Sequence, residues 1–134
     1  MKALELWDLK DHRFLSLSEV LAPLPGRAVG SYWDITGFIG PDGAPYFEVG
    51  YDGDEGISRL ADTGTRVSGR NLVQLAGSSS QVIWATLSGY DSREAIQPWI
   101  ALHAVDSTFW RCETRDIGTR QALMKAFNDV RLAQ

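Results

Sequence analysis

The chain has 134 residues, 44% of them apolar and 22% charged, with five Trp, four Tyr, five Phe, a single Cys and a net charge of −4. That length and apolar content fit one globular domain over residues 1–134 and exclude a disordered chain. No apolar run is long enough to span a bilayer, and MKALELWDLKDHR carries charges where a signal peptide needs an apolar block. The lone Cys112 excludes an internal disulfide, so a cytoplasmic location is expected.

In chain order, residues 3–7 alternate weakly and predict a first edge strand. Ser16-Leu17-Ser18-Glu19 has the capping-box pattern, and the apolar residues after it predict a short helix closed by Pro23 and Pro25. Residues 31–39 are rich in aromatic and β-branched side chains, Gly40-Pro41-Asp42-Gly43 is a turn signal, and residues 46–51 resume the strand pattern, which predicts a β-hairpin. Residues 58–60 and 66–75 read as further strands. Residues 81–87 and 99–105 are the clearest ones, separated by Asp91-Ser92-Arg93-Glu94, whose spacing predicts one helical turn ended by Pro98. Asp106-Ser107 turns the chain into a strand over 108–114, with Trp110, Cys112 and Thr114 on the core face and Phe109, Arg111 and Glu113 on the other. A final amphipathic helix is expected, with Asp116 as N-cap and a stripe of Leu123, Met124, Phe127 and Val130. The expected architecture is α+β: a mostly antiparallel sheet of five or six strands, the C-terminal helix on one face and the short N-terminal helix at an end. Trp84, Trp99 and Trp110 are expected in the core.

Charge is uneven along the chain. Residues 34–62 carry seven carboxylates against Arg59 alone, whereas the later part spreads its basic residues among acids. Phosphate neutralisation needs clustered Lys and Arg, so nucleic acid is not an expected partner. Asp52-Gly53-Asp54-Glu55-Gly56 begins like a calcium loop, but Ile57 stands where glycine is required and Thr63 where the closing glutamate belongs. No phosphate-binding glycine motif is present, and His12 and His103 are too few for a zinc site without convergent partners, so no metal or cofactor is expected. Cys112 with His103 across adjacent strands, or a serine of the Ser78–Ser80 run with His103 and Asp106, are the arrangements a nucleophilic mechanism would need. Neither has a supporting sequence frame such as G-x-S-x-G, and His103 reads better as a hydrogen-bonded strand residue. No catalytic residue is therefore assigned.

Leu102-His103-Ala104-Val105-Asp106-Ser107-Thr108-Phe109-Trp110, followed by Glu113 and a closing amphipathic helix, resembles the immunity proteins of bacterial polymorphic-toxin systems, such as contact-dependent growth inhibition. The resemblance covers the last third of the chain. It implies a small acidic cytosolic protein with no catalytic task, which neutralises a cognate toxin domain by tight binding. The −6 stretch of residues 34–62 agrees in kind, because acids steer association with a basic surface. Asp42, Glu48, Tyr51, Asp52, Asp54, Glu55 and Asp62 are the candidates to meet that surface. The competing readings are a small-ligand-binding or scaffold domain, and a small hydrolase-type enzyme using His103.

Overall fold

The computed structural model describes residues 1–10, 13–36, 46–47, 64–78, 82–106 and 108–133. Its elements run β1 (Leu4–Leu6), β2 (Leu9–Lys10), β3 (Arg13–Phe14), α1 (Leu17–Leu21), α2 (Gly26–Val29), β4 (Tyr32–Thr36), β5 (Tyr46–Phe47), β6 (Val67–Ser68), α3 (Gly69–Gly77), β7 (Val82–Tyr90), β8 (Ile100–Val105), β9 (Phe109–Thr114), α4 (Ile117–Ala126) and β10 (Val130–Leu132). The fold is α+β, as composition and patterning led one to expect.

One main sheet has the strand order β10-β1-β9-β8-β7-β4-β6, with β5 joining by pairing to the start of β7, and β2 with β3 forms a separate small ladder. All described pairings are antiparallel. The sheet is thus larger than the five or six strands expected. Three expectations about single elements are corrected. The first strand is not an edge, because β1 is held between β9 and β10. β5 pairs with β7 rather than turning back on β4, so the predicted hairpin gives way to two strands laid end to end along β7. Residues 66–75 hold only a two-residue strand before Ser68 caps a helix, its side chain accepting from the Asn71 N–H at 3.2 Å. That helix buries Leu72 and Ala76, an i, i+4 pair.

The helices supply one side of the core. The Ser16–Glu19 capping box is present with both reciprocal bonds, and α1 buries Leu17, Val20 and Leu21. α3 packs against α1 and α2. Strand alternation turns Trp33, Ile35, Leu87, Ile100, Leu102, Ala104, Trp110 and Cys112 toward these helices. Trp110 lies at 3% exposure, as expected, whereas Trp84 and Trp99 are only partly buried.

The C-terminal helix is a lesser contributor than expected. Asp116 does cap it, accepting from the Thr119 N–H at 2.9 Å, and Leu123 is fully buried, but Met124 is half exposed. The helix stops at Ala126, and Val130 belongs to a strand. The cause lies far away in sequence: the Asp8 carboxylate accepts from the N–H groups of Asn128 and Asp129 at 2.8 and 2.7 Å, which draws the chain off the helix axis and onto β1. Asp91–Glu94 forms a turn, closed by the Ala95 N–H on the Ser92 carbonyl, and not the helical turn expected. Among the described residues no helix is long and apolar enough to cross a membrane.

Candidate functional site

The face of the sheet opposite the helices is polar. Cross-strand register lines up Asp34, Ser88, Ala101 and Glu113 in one row, and Thr86, His103, Arg111, Glu5 and Arg131 in the next. Alternation alone sends these side chains away from the core, since each neighbours an inward apolar residue along its strand.

His103 occupies the middle of this face. Its Nδ1 lies 2.9 Å from Thr86 Oγ1, a shared hydrogen bond, and its Nε2 faces Glu113 Oε1 at 3.5 Å. That second approach is an ion-pair distance rather than a hydrogen bond, and Nε2 is buried without one. Burial pushes the His103 pKa below its ordinary 6.5, and Arg111 adds to the push against the opposing pull of Glu113. The unfolded chain therefore binds the His103 proton more tightly than the folded one. Stability is full above about pH 6.5 and declines as the pH falls below it, toward the lowered folded value. Urea midpoints compared at about pH 7.5 and about pH 5.5 should show a drop that shrinks in His103→Gln, and an equal drop in both chains would place its source elsewhere.

Arg111 donates to Glu5 Oε2 at 3.3 Å, while its Nε is buried without a partner. Beside it Trp7 stacks on Phe109 with centroids 4.3 Å apart, and the Arg131 guanidinium covers Trp7 at 4.3 Å. At the other side of the face stands Asp34, 7% exposed, with Arg66 Nε 3.8 Å from its Oδ2 and no hydrogen bond to Oδ1. Burial raises the Asp34 carboxyl above its ordinary 3.8, against the pull of Arg66 and of the Tyr90 hydroxyl. Three buried polar atoms without hydrogen bonds, on Asp34, His103 and Arg111, thus share one sheet face.

A cleft of about 640 Å³ opens at the start of β8 and the end of β9, lined among others by Pro98, Trp99, Ala101, Glu113 and Asp116. Arg27 spans it, lying 4.3 Å over the Trp99 ring, bonded to both oxygens of Asp91 at 2.9 and 2.8 Å and to Asp116 at 3.4 Å. These bonds hold the Asp91 carboxyl below the usual range, whereas at Asp116 the lowering comes first from Thr119.

Among the described residues the arrangements a nucleophilic mechanism would need are not assembled. Cys112 pairs with Leu102 on the core face and His103 with Arg111 on the other, so thiol and imidazole lie on opposite sides of the sheet. Burial pushes the Cys112 thiol up to about 12, far from a thiolate at neutral pH. Asp106 is an exposed turn residue at φ 52°, and the Ser78 hydroxyl donates to the Leu75 carbonyl at the end of α3. Among the described residues no three His, Cys, Asp or Glu side chains converge as metal ligands.

The seven residues chosen from sequence, Asp42, Glu48, Tyr51, Asp52, Asp54, Glu55 and Asp62, lie outside the described residues, as do His12, Ser79, Ser80 and Ser107. All seven belong to the connection between β4 and β6, neighbouring strands at one edge of the sheet. Sequence reasoning missed Asp34 as a buried acid. The available signal was an acid set between Trp33 and Ile35, in the middle of a strand otherwise built of aromatic and β-branched residues. Compared with protein-family models, curated proteins and solved structures, the chain matches none.

Proposed function

We propose that this chain is a non-enzymatic protein-binding domain, an immunity protein of a bacterial toxin system that neutralises a cognate toxin domain in the cytoplasm. The observation that carries the reading is the charge pattern. Six of the seven carboxylates of the 34–62 stretch fall in sequence between β4 and β6, with Arg59 as the one basic residue of that stretch. Such an acidic run suits steering toward a basic surface. The opposite placement of His103 and Cys112 supports a binding rather than a hydrolytic role. The 640 Å³ cleft favours the alternative of a small-ligand-binding domain, and a thermal shift with small molecules is its readout.

The test is capture from the native host in high salt, followed by co-expression of whatever is bound. A stoichiometric partner with a basic domain, whose growth inhibition this chain relieves, supports the proposal. A partner without toxicity, or none, overturns it. With the partner in hand, reversing Asp52, Asp54 and Glu55 to lysine is expected to slow association about tenfold or more at low salt and to flatten its salt dependence. Stopped-flow mixing measures both, and an unchanged rate would move the interface off the acidic connection.

A further inference from the structure

We propose that β10 is the contact through which two copies of this chain pair, their sheets joined edge to edge about a two-fold axis at Val130. This surface is separate from the acidic stretch and does not depend on the reading above. β10 ends the strand order of the sheet, and its one strand neighbour among the described residues is β1. The Ala133 N–H donates to the Ala3 carbonyl and the Trp7 N–H to the Asp129 carbonyl, both at 2.9 Å, so positions 129, 131 and 133 turn toward β1. Alternation then turns the N–H and C=O groups of Val130 and Leu132 outward, at a strand where Leu132 is 60% exposed. An open edge of this kind is a template for another strand.

Charge selects which strand fits. Asp129 and Arg131 lie on one face of β10, the guanidinium donating to both carboxylate oxygens at 3.0 Å. In an antiparallel pair centred on Val130, that residue exchanges both backbone bonds with its copy, and each Arg131 falls directly opposite the second copy's Asp129. This is the non-hydrogen-bonded position, where Cα atoms stand about 4.5 Å apart and side chains are closest. The four charges alternate around a closed ring, each guanidinium between two carboxylates. An axis moved one residue either way sets Asp129 or Arg131 against its own copy, which like charges oppose.

The strand is therefore self-complementary in one register, which is what a two-fold interface requires. A short strand offers few backbone bonds, so the side chains must supply the choice of partner. Arg131 is already held 4.3 Å over the Trp7 ring, so little of its freedom is left to lose on pairing. On the other face Val130 meets the second copy's Val130, with Leu132 diagonally across from it, and the exposed leucine gains an apolar neighbour.

Sedimentation velocity of the full chain from about 10 μM to about 1 mM, at low and high salt, tests the pairing. A reversible monomer–dimer equilibrium that salt weakens is expected. Arg131→Glu and Asp129→Lys should each raise the dimer dissociation constant about tenfold or more, and the chain carrying both changes should associate as the parent does, because the ring alternates again. Both positions are exposed, and unchanged melting temperatures at a concentration where the parent is monomeric separate lost pairing from lost folding. Hydrogen exchange reads the edge itself: the Val130 amide gains protection as concentration rises, whereas the Arg131 amide, turned toward β1, is protected throughout. A chain that stays monomeric up to about 1 mM overturns the proposal. So does a dimer that the single charge reversals leave intact, or one that the double change does not restore.

Discussion

Gly69→Ala is expected to lower the melting temperature by about 10 °C or more, the reverse of what the same change does in an ordinary helix. A helix interior gains up to about 1 kcal/mol when alanine replaces glycine. At this position a Cβ would stand 2.1 Å from the Ala28 carbonyl oxygen and 2.7 Å from that of Val29, both backbone atoms. No rotamer change relieves such a contact, so α3 must move off α2, and overpacking of this kind costs about 3 kcal/mol. The Gly69 N–H also donates to the Ser31 carbonyl at 2.8 Å, a bond the displacement would stretch. Thermal melts with hydrogen exchange at Gly69 measure both effects. A melting temperature at or above that of the parent chain would mean that α2 and α3 are not packed this closely.

The consequence reaches the proposed function, because Gly69 follows β6 directly. β6 pairs with β4 through Val67↔Trp33 and Ser68↔Tyr32, and these two strands bound the connection that carries the acids. Ser31, one residue before β4, ties the same corner from several sides: its hydroxyl donates to the Arg27 carbonyl and accepts from Trp99 Nε1 at 2.8 Å. A chain loosened here should lose association rate with a basic partner even though no carboxylate is altered.

Much of the fold was legible where local chemistry decides it. The capping box at Ser16, the N-cap at Asp116 and the alternation of residues 109–114 each depend on neighbours within four positions, and each is present in the structure. The errors fall where distant groups decide. Nothing near Phe127 announces that the Asp8 carboxylate, some 120 residues away, takes two of its following N–H groups. Residues 66–75 misled because Val67 and Val73 favour a strand reading, while the Leu72 and Ala76 spacing was the truer signal. The candidate site divides in the same way. Charge counting located the acidic connection, but it weighs every carboxylate alike and could not separate the buried, half-paired Asp34 from the rest, since burial is a property of the packed sheet.

Trp33→Ala is expected to cost the fold about 3–5 kcal/mol, a large share of the 5–15 kcal/mol that domains of this kind possess. The side chain is 1% exposed and is the largest fully buried one among the described residues. Its ring lies over Gly89, where an added Cβ would come within 3.1 Å of two ring atoms, so the opposite strand has given up a side chain to seat it. The indole Nε1 donates to the Ala28 carbonyl at 2.9 Å, the oxygen against which Gly69 packs. Truncation therefore opens a cavity and loosens the α2 corner at once. Trp33→Phe keeps an aromatic ring while losing the hydrogen bond and part of the indole volume, and so should cost less, about 2 kcal/mol. Urea unfolding of both variants beside Ile96→Ala, at a position 86% exposed, measures the difference. A loss for Trp33→Ala no larger than for Ile96→Ala would show that the core is not organised around this ring. A loss of the expected size would show that the packing of β4 on β7 and on α2 depends on this one side chain.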